Sequence, residues 1–437
     1  MGWTPMPISR STGLAAILPK TIASCLSSAP ELLYNWDEKL QGLVLGICLS
    51  RSLVLQSIAQ TRPGRVKTAE NNLSAFIGRD RLALDAPRKA CVIRTLKSMG
   101  RRRFFKHRGK LVLIIDSTSY AKARSRREIR PMPGKGKVRL HNLRTKETLL
   151  VAGYQEIWVG VLLADRTVLP ITRRLWSENG PACASMNLGE AAEICKAREI
   201  ISEAFKLDVI LVADSGFRRK ELLHWLKKTQ GMDFVIRIEG NLTVRTGNSK
   251  GLLEQMGPWW PKRVQMQWRD GSKHVMFSDV SARQVGVETP SKEQVSFNVA
   301  CLVPVKDEID PMYLATTLTT QTVGDLMMIV RLYSWRWGIE TFFWKFKQAL
   351  RADSWRVFSS WEAIDNLLTA AHMAYLVLVL LAELAIRGQD EQMRLLLRKI
   401  KQILRARFAK PPKLTLGRFF QVIAMDFPGP ALAGVIL

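Results

Sequence analysis

A mixed α/β fold flanked by helical regions is predicted by three features of the 437-residue chain. Continuous apolar runs, LVLIID (111–116) and DVILVAD (208–214), read as strands buried on both faces, each ending on an acid. Segments with helical spacing, such as NLGEAAEICKAREIISEAFK (187–206), lie between such strands. Residues 20–108 carry a helical pattern without strand-like runs. The length suffices for two or three domains. At 47% hydrophobic residues the chain can bury a core, which argues against wholesale disorder.

From the N-terminus, PELLYNWDEKLQGLVLGICLSRSLVLQSIAQ and VKTAENNLSAFIGR are helical in pattern and are separated by TRPG. The region ends in RRRFFKHRGK (101–110), where six of ten residues are Lys or Arg. LVLIID follows, then YQEIWVGVLLAD and RTVLPITRRLW as two more strands. Asn187 is the expected cap of the next helix. DVILVAD, a helix RKELLHWLKKTQG and a strand DFVIRIEG complete a β-β-β-α-β-α-β order. Residues 241–305 depart from it. Alternating runs flank Asp270-Gly271 in VQMQWRDGSKHVMF, a hairpin signal, so a β-rich insert is expected to interrupt the sheet. After a last strand, MYLATTLTT, Thr322 and Asp325 form a capping box that opens the helix holding RLYSWRWGIETFFWKFKQAL (331–350).

The apolar stretch MAYLVLVLLAELAI (373–386) is interrupted by Glu383 and is shorter than the roughly 20 residues of a span. It reads as a buried core helix, and no membrane partner is expected. The opening MGWTPMPISRSTGLAAILPK has too short an apolar run for a secretory signal. Cys25, Cys48, Cys91, Cys183, Cys195 and Cys301 form no CxxC pair, and none of the five histidines sits near a cysteine pair, which disfavours structural zinc. Buried, reduced thiols and a cytoplasmic location are expected.

Charge points to the partner. Against 38 acidic residues stand 66 Lys and Arg, a net charge of +28, and such an excess draws polyanions, nucleic acid above all. It concentrates in 101–110, in 122–146 with ten basic residues and one acid, and in 393–418 with nine basic residues and no acid. The segment 122–146 reads as a DNA-facing loop, with Arg126, Arg127, Lys135 and Lys137 as contacts. Arg218 and Arg219 follow Asp214 and are further candidates. Trp259, Trp260 and Trp268 crowd ten residues of the insert, as a small core or as base-stacking groups. His224 is expected to be structural.

Asp116 and Asp214 end buried strands, where open sheets build their sites. On a helical wheel of about 100° per residue, Tyr333, Arg336, Glu340 and Lys347 share one strip roughly 60° wide. Alone, that is an amphipathic helix with an i,i+4 ion pair, and alone an acid at a strand end is a turn former or cap. Three clustered carboxylates repel one another unless cations sit among them, and oxygen-only ligands favour Mg²⁺ or Mn²⁺. Two such ions suit phosphodiester chemistry.

The spacing Y-x₂-R-x₃-E-x₆-K over 333–347 resembles the signature of the "insertion sequence four" family of bacterial DDE transposases. IDST (115–118) and DSGF (214–217) are similar to that family's first and second Asp motifs. The resemblance covers roughly residues 65–385. It implies an RNase H-like catalytic core with a β-rich insertion, in which Asp116, Asp214 and Glu340 are catalytic and hold two divalent cations. It further implies that Tyr333, Arg336 and Lys347 hold phosphates of the element's end.

The expected organisation is a helical DNA-binding region over 1–108, a core over 109–240 and 311–385, an insertion over 241–310 and a basic helical region over 386–437. The expected function is cut-and-paste transposition by metal-dependent hydrolysis, hairpin formation and strand transfer. Terminal inverted repeats and target DNA are the expected substrates of a homodimer, nucleoid-associated in a bacterial cytoplasm. A silent relative that represses by binding ends, and a simple RNase H-like nuclease, are the alternatives.

Overall fold

The computed structural model describes residues 37–387 apart from 63, 80–81, 123–132, 142–147, 182–184, 248, 257–261, 271–272, 306–309, 356 and 358. Residues 1–36 and the expected basic segment from 388 onward lie outside the described residues.

The chain opens with α1 (Asp37–Ser50), α2 (Leu55–Ala59), α3 (Val66–Ile77) and α4 (Asp85–Met99). In α4, Cys91, Val92, Leu96 and Met99 are buried together at helical spacing, so one face turns inward. Its partner is α9 (Trp361–Arg387), which packs against α1, α3 and α4. Two polar ties fix the docking: Asn366 Nδ2 donates to the Ile77 carbonyl at 2.8 Å and Arg387 Nη2 to the Met99 carbonyl at 2.5 Å. Among the described residues α9 alone is long and apolar enough to cross a membrane, and it lies inside the protein with 94% of its apolar window buried. The acid that interrupts that window, Glu383, is met by Arg103 at 2.9 Å. No disulfide joins described residues, and Cys48, Cys91 and Cys301 are buried.

The sheet is organised about β2 (Lys110–Ala121), which follows a short β1 (Lys106–His107). On one side β2 pairs antiparallel with β4 (Thr148–Leu162), which pairs in turn with β5 (Val168–Trp176). On the other it runs parallel to β6 (Val209–Ala213), and β6 to β7 (Asp233–Ile238). The crossovers are α5 (Met186–Phe205) and α6 (Lys220–His224), the latter continued by a π-helical turn over Trp225–Thr229. This is the expected mixed α/β arrangement and is consistent with an RNase H-like core. The cap of α5 is Ser185, not Asn187: the Ser185 hydroxyl accepts from the Asn187 N–H at 3.2 Å.

Two expectations need correction. Part of the basic stretch 122–146 is a strand, β3 (Gly136–His141), paired with the start of β4. Val138 is buried between exposed Lys137 and Arg139, the alternation of a half-buried strand that the charge run obscured. The insert, moreover, does not interrupt the sheet; it extends it. It contains β8 (Thr243–Thr246), β9 (Ser249–Leu252), β10 (Lys262–Asp270), β11 (Lys273–Glu288) and β12 (Gln294–Pro304), and leads into β13 (Met312–Thr316). β13 pairs antiparallel with β7, β12 with β13, and β11 with β12, giving 13 strands in one sheet among the described residues. The open edge of β7 would otherwise present unpaired backbone groups. The expected hairpin is there, with Asp270 opposite Lys273.

Beneath β2 lies a buried charge pair. The Glu156 carboxylate is fully buried and is bonded by Arg173, by the Tyr120 hydroxyl at 2.5 Å and by the Trp158 indole N–H at 2.8 Å. Arg173 reaches on to Thr369 Oγ1 at 2.6 Å, tying α9 to the sheet. Removing one partner of a buried pair strands the other's charge. Arg173→Met should therefore lower unfolding free energy by about 3–5 kcal/mol. Denaturant titration followed by circular dichroism checks it, and a loss under about 1 kcal/mol would show that the pair is dispensable.

Candidate active site

The register of two parallel strands brings the first two acids together. β2 and β6 pair residue by residue up to Ile115 opposite Ala213. The next residues are Asp116, midway along β2, and Asp214, just past the end of β6, so the two carboxylates stand side by side. β2 continues to Ala121 rather than ending on Asp116 as its apolar run suggests. Asp214 leaves its strand into a tight turn, where Oδ1 accepts from the Ser215 N–H at 2.7 Å. Asp116 Oδ1 accepts from the Ser117 N–H at 2.8 Å.

Glu340 arrives from α8 (Trp337–Leu350), and the segment before it is α7 (Val323–Ser334), opened by the expected Thr322–Asp325 capping box. The single helix behind the wheel argument is thus two. At the break, Arg336 N–H bonds the Tyr333 carbonyl, Gly338 N–H that of Trp335 and Ile339 N–H that of Arg336, each spanning three residues. Such turns advance about 120° per residue, so a common strip at 100° no longer applies. Close approach explains the site of the break. A Cβ on Gly338 would lie 2.6 Å from the Arg166 carbonyl oxygen, so only glycine lets α8 settle on the β4–β5 connection.

The four signature residues nevertheless converge on β2 and the end of β6. The Arg336 guanidinium is the common neighbour of the carboxylates. Nη1 lies 2.8 Å from Asp116 Oδ2 and 3.2 Å from Glu340 Oε1, and Nη2 lies 3.4 Å from Asp214 Oδ2. Its side chain is only 5% exposed, and the Tyr333 and Trp337 rings flank it at 5.6 Å. Tyr333 donates its hydroxyl to Asp214 Oδ1 at 2.8 Å. Among the described residues Lys347 meets no carboxylate. Its ammonium donates to Thr118 Oγ1 at 2.7 Å and the Ser119 carbonyl at 3.0 Å, pinning the strand just beyond Asp116.

One guanidinium cannot neutralise three carboxylates, and the acids divide accordingly. Burial pushes Asp116 up to about 6 against the pull of Arg336. Burial likewise pushes Glu340 up to about 7, Arg336 opposing and Asp116 repelling. Asp214 is half-buried, which raises it, but Arg336, Tyr333 and the Ser215 N–H together hold it below its ordinary value. Among the described residues no three His, Cys, Asp or Glu side chains stand ready as an ion cage, because the guanidinium fills the middle. The donor set fits Mg²⁺ or Mn²⁺: carboxylate oxygens only, with negative charge in excess.

The other candidates lie elsewhere. Arg218 bonds the Ser215 carbonyl at 2.9 Å and Glu239 at 3.1 Å, whereas Arg219 pairs with buried Glu190 of α5. Lys137 is exposed on β3, and the half-buried Lys135 offers its carbonyl to Asn179. Trp268 sits on β10 opposite Val275. Arg126, Arg127, Trp259 and Trp260 lie outside the described residues. His224, read as structural, lies 3.7 Å from Glu293. Sequence reasoning missed Thr118 and Ser119, the partners of Lys347, and Arg237, which acts electrostatically on Asp214 from the wall of an adjoining cleft. A lone arginine in the strand DFVIRIEG was the available signal.

The raised acids give a pH signature. The folded state keeps a proton on Glu340 up to about pH 7, whereas the unfolded chain loses it near the ordinary glutamate value. Folding thus takes up a proton between those limits, and this group's contribution to stability falls as pH rises through them. Glu340→Gln, neutral throughout, should gain on the native protein between pH 5 and pH 8 in metal-free buffer. Paired thermal melts read the difference, and a gap independent of pH would contradict the assignment.

Residues 184–377 match the family model described as a transposase DDE domain, a window that includes Asp214, Tyr333, Arg336, Glu340 and Lys347 and begins after Asp116. No curated protein matches the chain. The mixed sheet agrees with that match over those residues.

Proposed function

We propose that the chain is a cut-and-paste transposase of the insertion sequence four type, with Asp116, Asp214 and Glu340 as its catalytic carboxylates. The observation that carries the reading is the meeting of acids from β2, the end of β6 and α8 about one point. Nothing in strand pairing or helix packing requires three carboxylates there, and without cations they repel.

The three acids would hold Mg²⁺ or Mn²⁺, which when bound supplies Lewis acidity and an activated oxygen nucleophile at neutral pH. The surrounding residues set the geometry. Tyr333 orients Asp214 through its hydroxyl, and Lys347 fixes β2 relative to α8, so Asp116 and Glu340 keep their spacing. Arg336 suits a phosphodiester because its planar fork can offer two parallel N–H donors, and Lys347 adds a point charge nearby. The basic segments, with Arg218 and Lys137 on the surface, would bind the flanking duplex.

On this reading 109–240 and 311–385 form the catalytic core, 241–310 the insertion, and 1–108 and 386–437 contact DNA. The substrates are the element's inverted repeats and a target, cut by a homodimer in the cytoplasm through a hairpin step and joined by strand transfer.

The test uses a duplex spanning the inverted repeat beside the gene. Asp116→Ala, Asp214→Ala and Glu340→Ala should each abolish nicking while end affinity stays within about threefold, because phosphate contacts elsewhere persist. Nicking should need Mg²⁺ or Mn²⁺ and vanish in excess chelator. Affinity should fall with salt at a log–log slope of about −0.9 per phosphate contacted. A variant that nicks at the native rate would remove that residue from the site, and full activity in chelator would overturn the metal reading.

A further inference from the structure

Arg336 occupies the place a catalytic cation would need. Its Nη1 lies between Asp116 Oδ2 and Glu340 Oε1, at 2.8 and 3.2 Å. Mg²⁺ takes oxygen ligands at about 2.0–2.1 Å, so an ion bridging those carboxylates overlaps the guanidinium. The two occupants exclude one another.

Two further observations bear on how the arginine could leave it. Its Nε is buried and makes no hydrogen bond, so the guanidinium has donor capacity that this arrangement leaves unused. Its backbone lies in the break between α7 and α8, where three-residue turns replace the regular helical ladder. Breaks of this kind within a helical stretch often mark hinges. The attraction it needs is also at hand: a DNA phosphate offers a planar pair of acceptor oxygens that can engage Nε and Nη2 together.

We propose that Arg336 is an internal cation gate, which fills the carboxylate site in the free protein and moves onto a DNA phosphate when the duplex binds, opening the site to divalent ions. The proposal rests on the preceding reading of Asp116, Asp214 and Glu340 as metal ligands and adds an order of events, DNA first and metal second. Cutting is thereby confined to assembled complexes. Linkage makes the coupling reciprocal, so metal must tighten DNA binding by the factor by which DNA tightens metal binding.

Mn²⁺ binding, read by the electron paramagnetic resonance signal of free Mn²⁺, tests this without reference to turnover. The native chain should bind Mn²⁺ weakly alone and at least about tenfold more tightly with the inverted-repeat duplex, corresponding to about 1.4 kcal/mol of coupling. Arg336→Ala should bind Mn²⁺ about tenfold more tightly than the native chain without DNA and gain little on adding it. Arg336→Lys, whose ammonium meets fewer carboxylates at once, should fall between and carries the test if the alanine variant fails to fold. Folded variants that bind Mn²⁺ no better than the native chain would overturn the gate. Gated Mn²⁺ binding without any DNA cleavage would uphold the gate and overturn the proposed function.

Discussion

The site depends on the parallel pairing of β2 with β6. That register sets Ile115 beside Ala213, and the next residues on both strands are acids. A shift of one residue would turn one carboxylate to the opposite face of the sheet, and no movement of α8 could then reunite it with Glu340. Both strands are buried along their apolar lengths, so the hydrophobic core that holds them in register also sets the carboxylate spacing. Packing and chemistry are two readings of the same alignment.

The second constraint is the descent of α8 onto the sheet. Ile339, Phe342, Phe343 and Phe346 are buried, and Trp158 meets Phe342 and Phe346 at ring distances of 5.0 and 5.3 Å. Trp158 stands opposite Asp116 in the β2–β4 register and shares Glu156 with Arg173. The aromatic cluster and the buried ion pair therefore brace the strand that carries the first acid. Lys347 completes the brace from the helix side.

Legibility in the sequence followed physical period. The apolar runs around Asp116 and Asp214, the capping box at Thr322 and the hairpin at Asp270 were readable because each has a local signal. The proximity of the three acids was not. It depends on strand register and on where α8 lands, and spacing alone could suggest it only through a family resemblance. Local reading failed where a tertiary contact overrode it. The wheel for 333–347 assumed an unbroken helix, but Gly338 permits an approach that ends one helix and begins another. The strand at 136–141 hid in a charge run because the buried Val138 lies between two exposed basic residues. The insert looked like an interruption because no local pattern reports which open edge a distant strand will pair with.

That edge pairing bears on how such a protein can change over generations. Because β13 and β12 continue the sheet from β7, the insert is attached through backbone hydrogen bonds, which are indifferent to side-chain identity. Its outer hairpin, β10–β11, lies at the far margin, and beyond the part that meets α7 residues can be gained or lost without disturbing the β2–β6 register. A lineage could therefore reshape that margin to suit a new host sequence while inheriting its cutting centre unaltered.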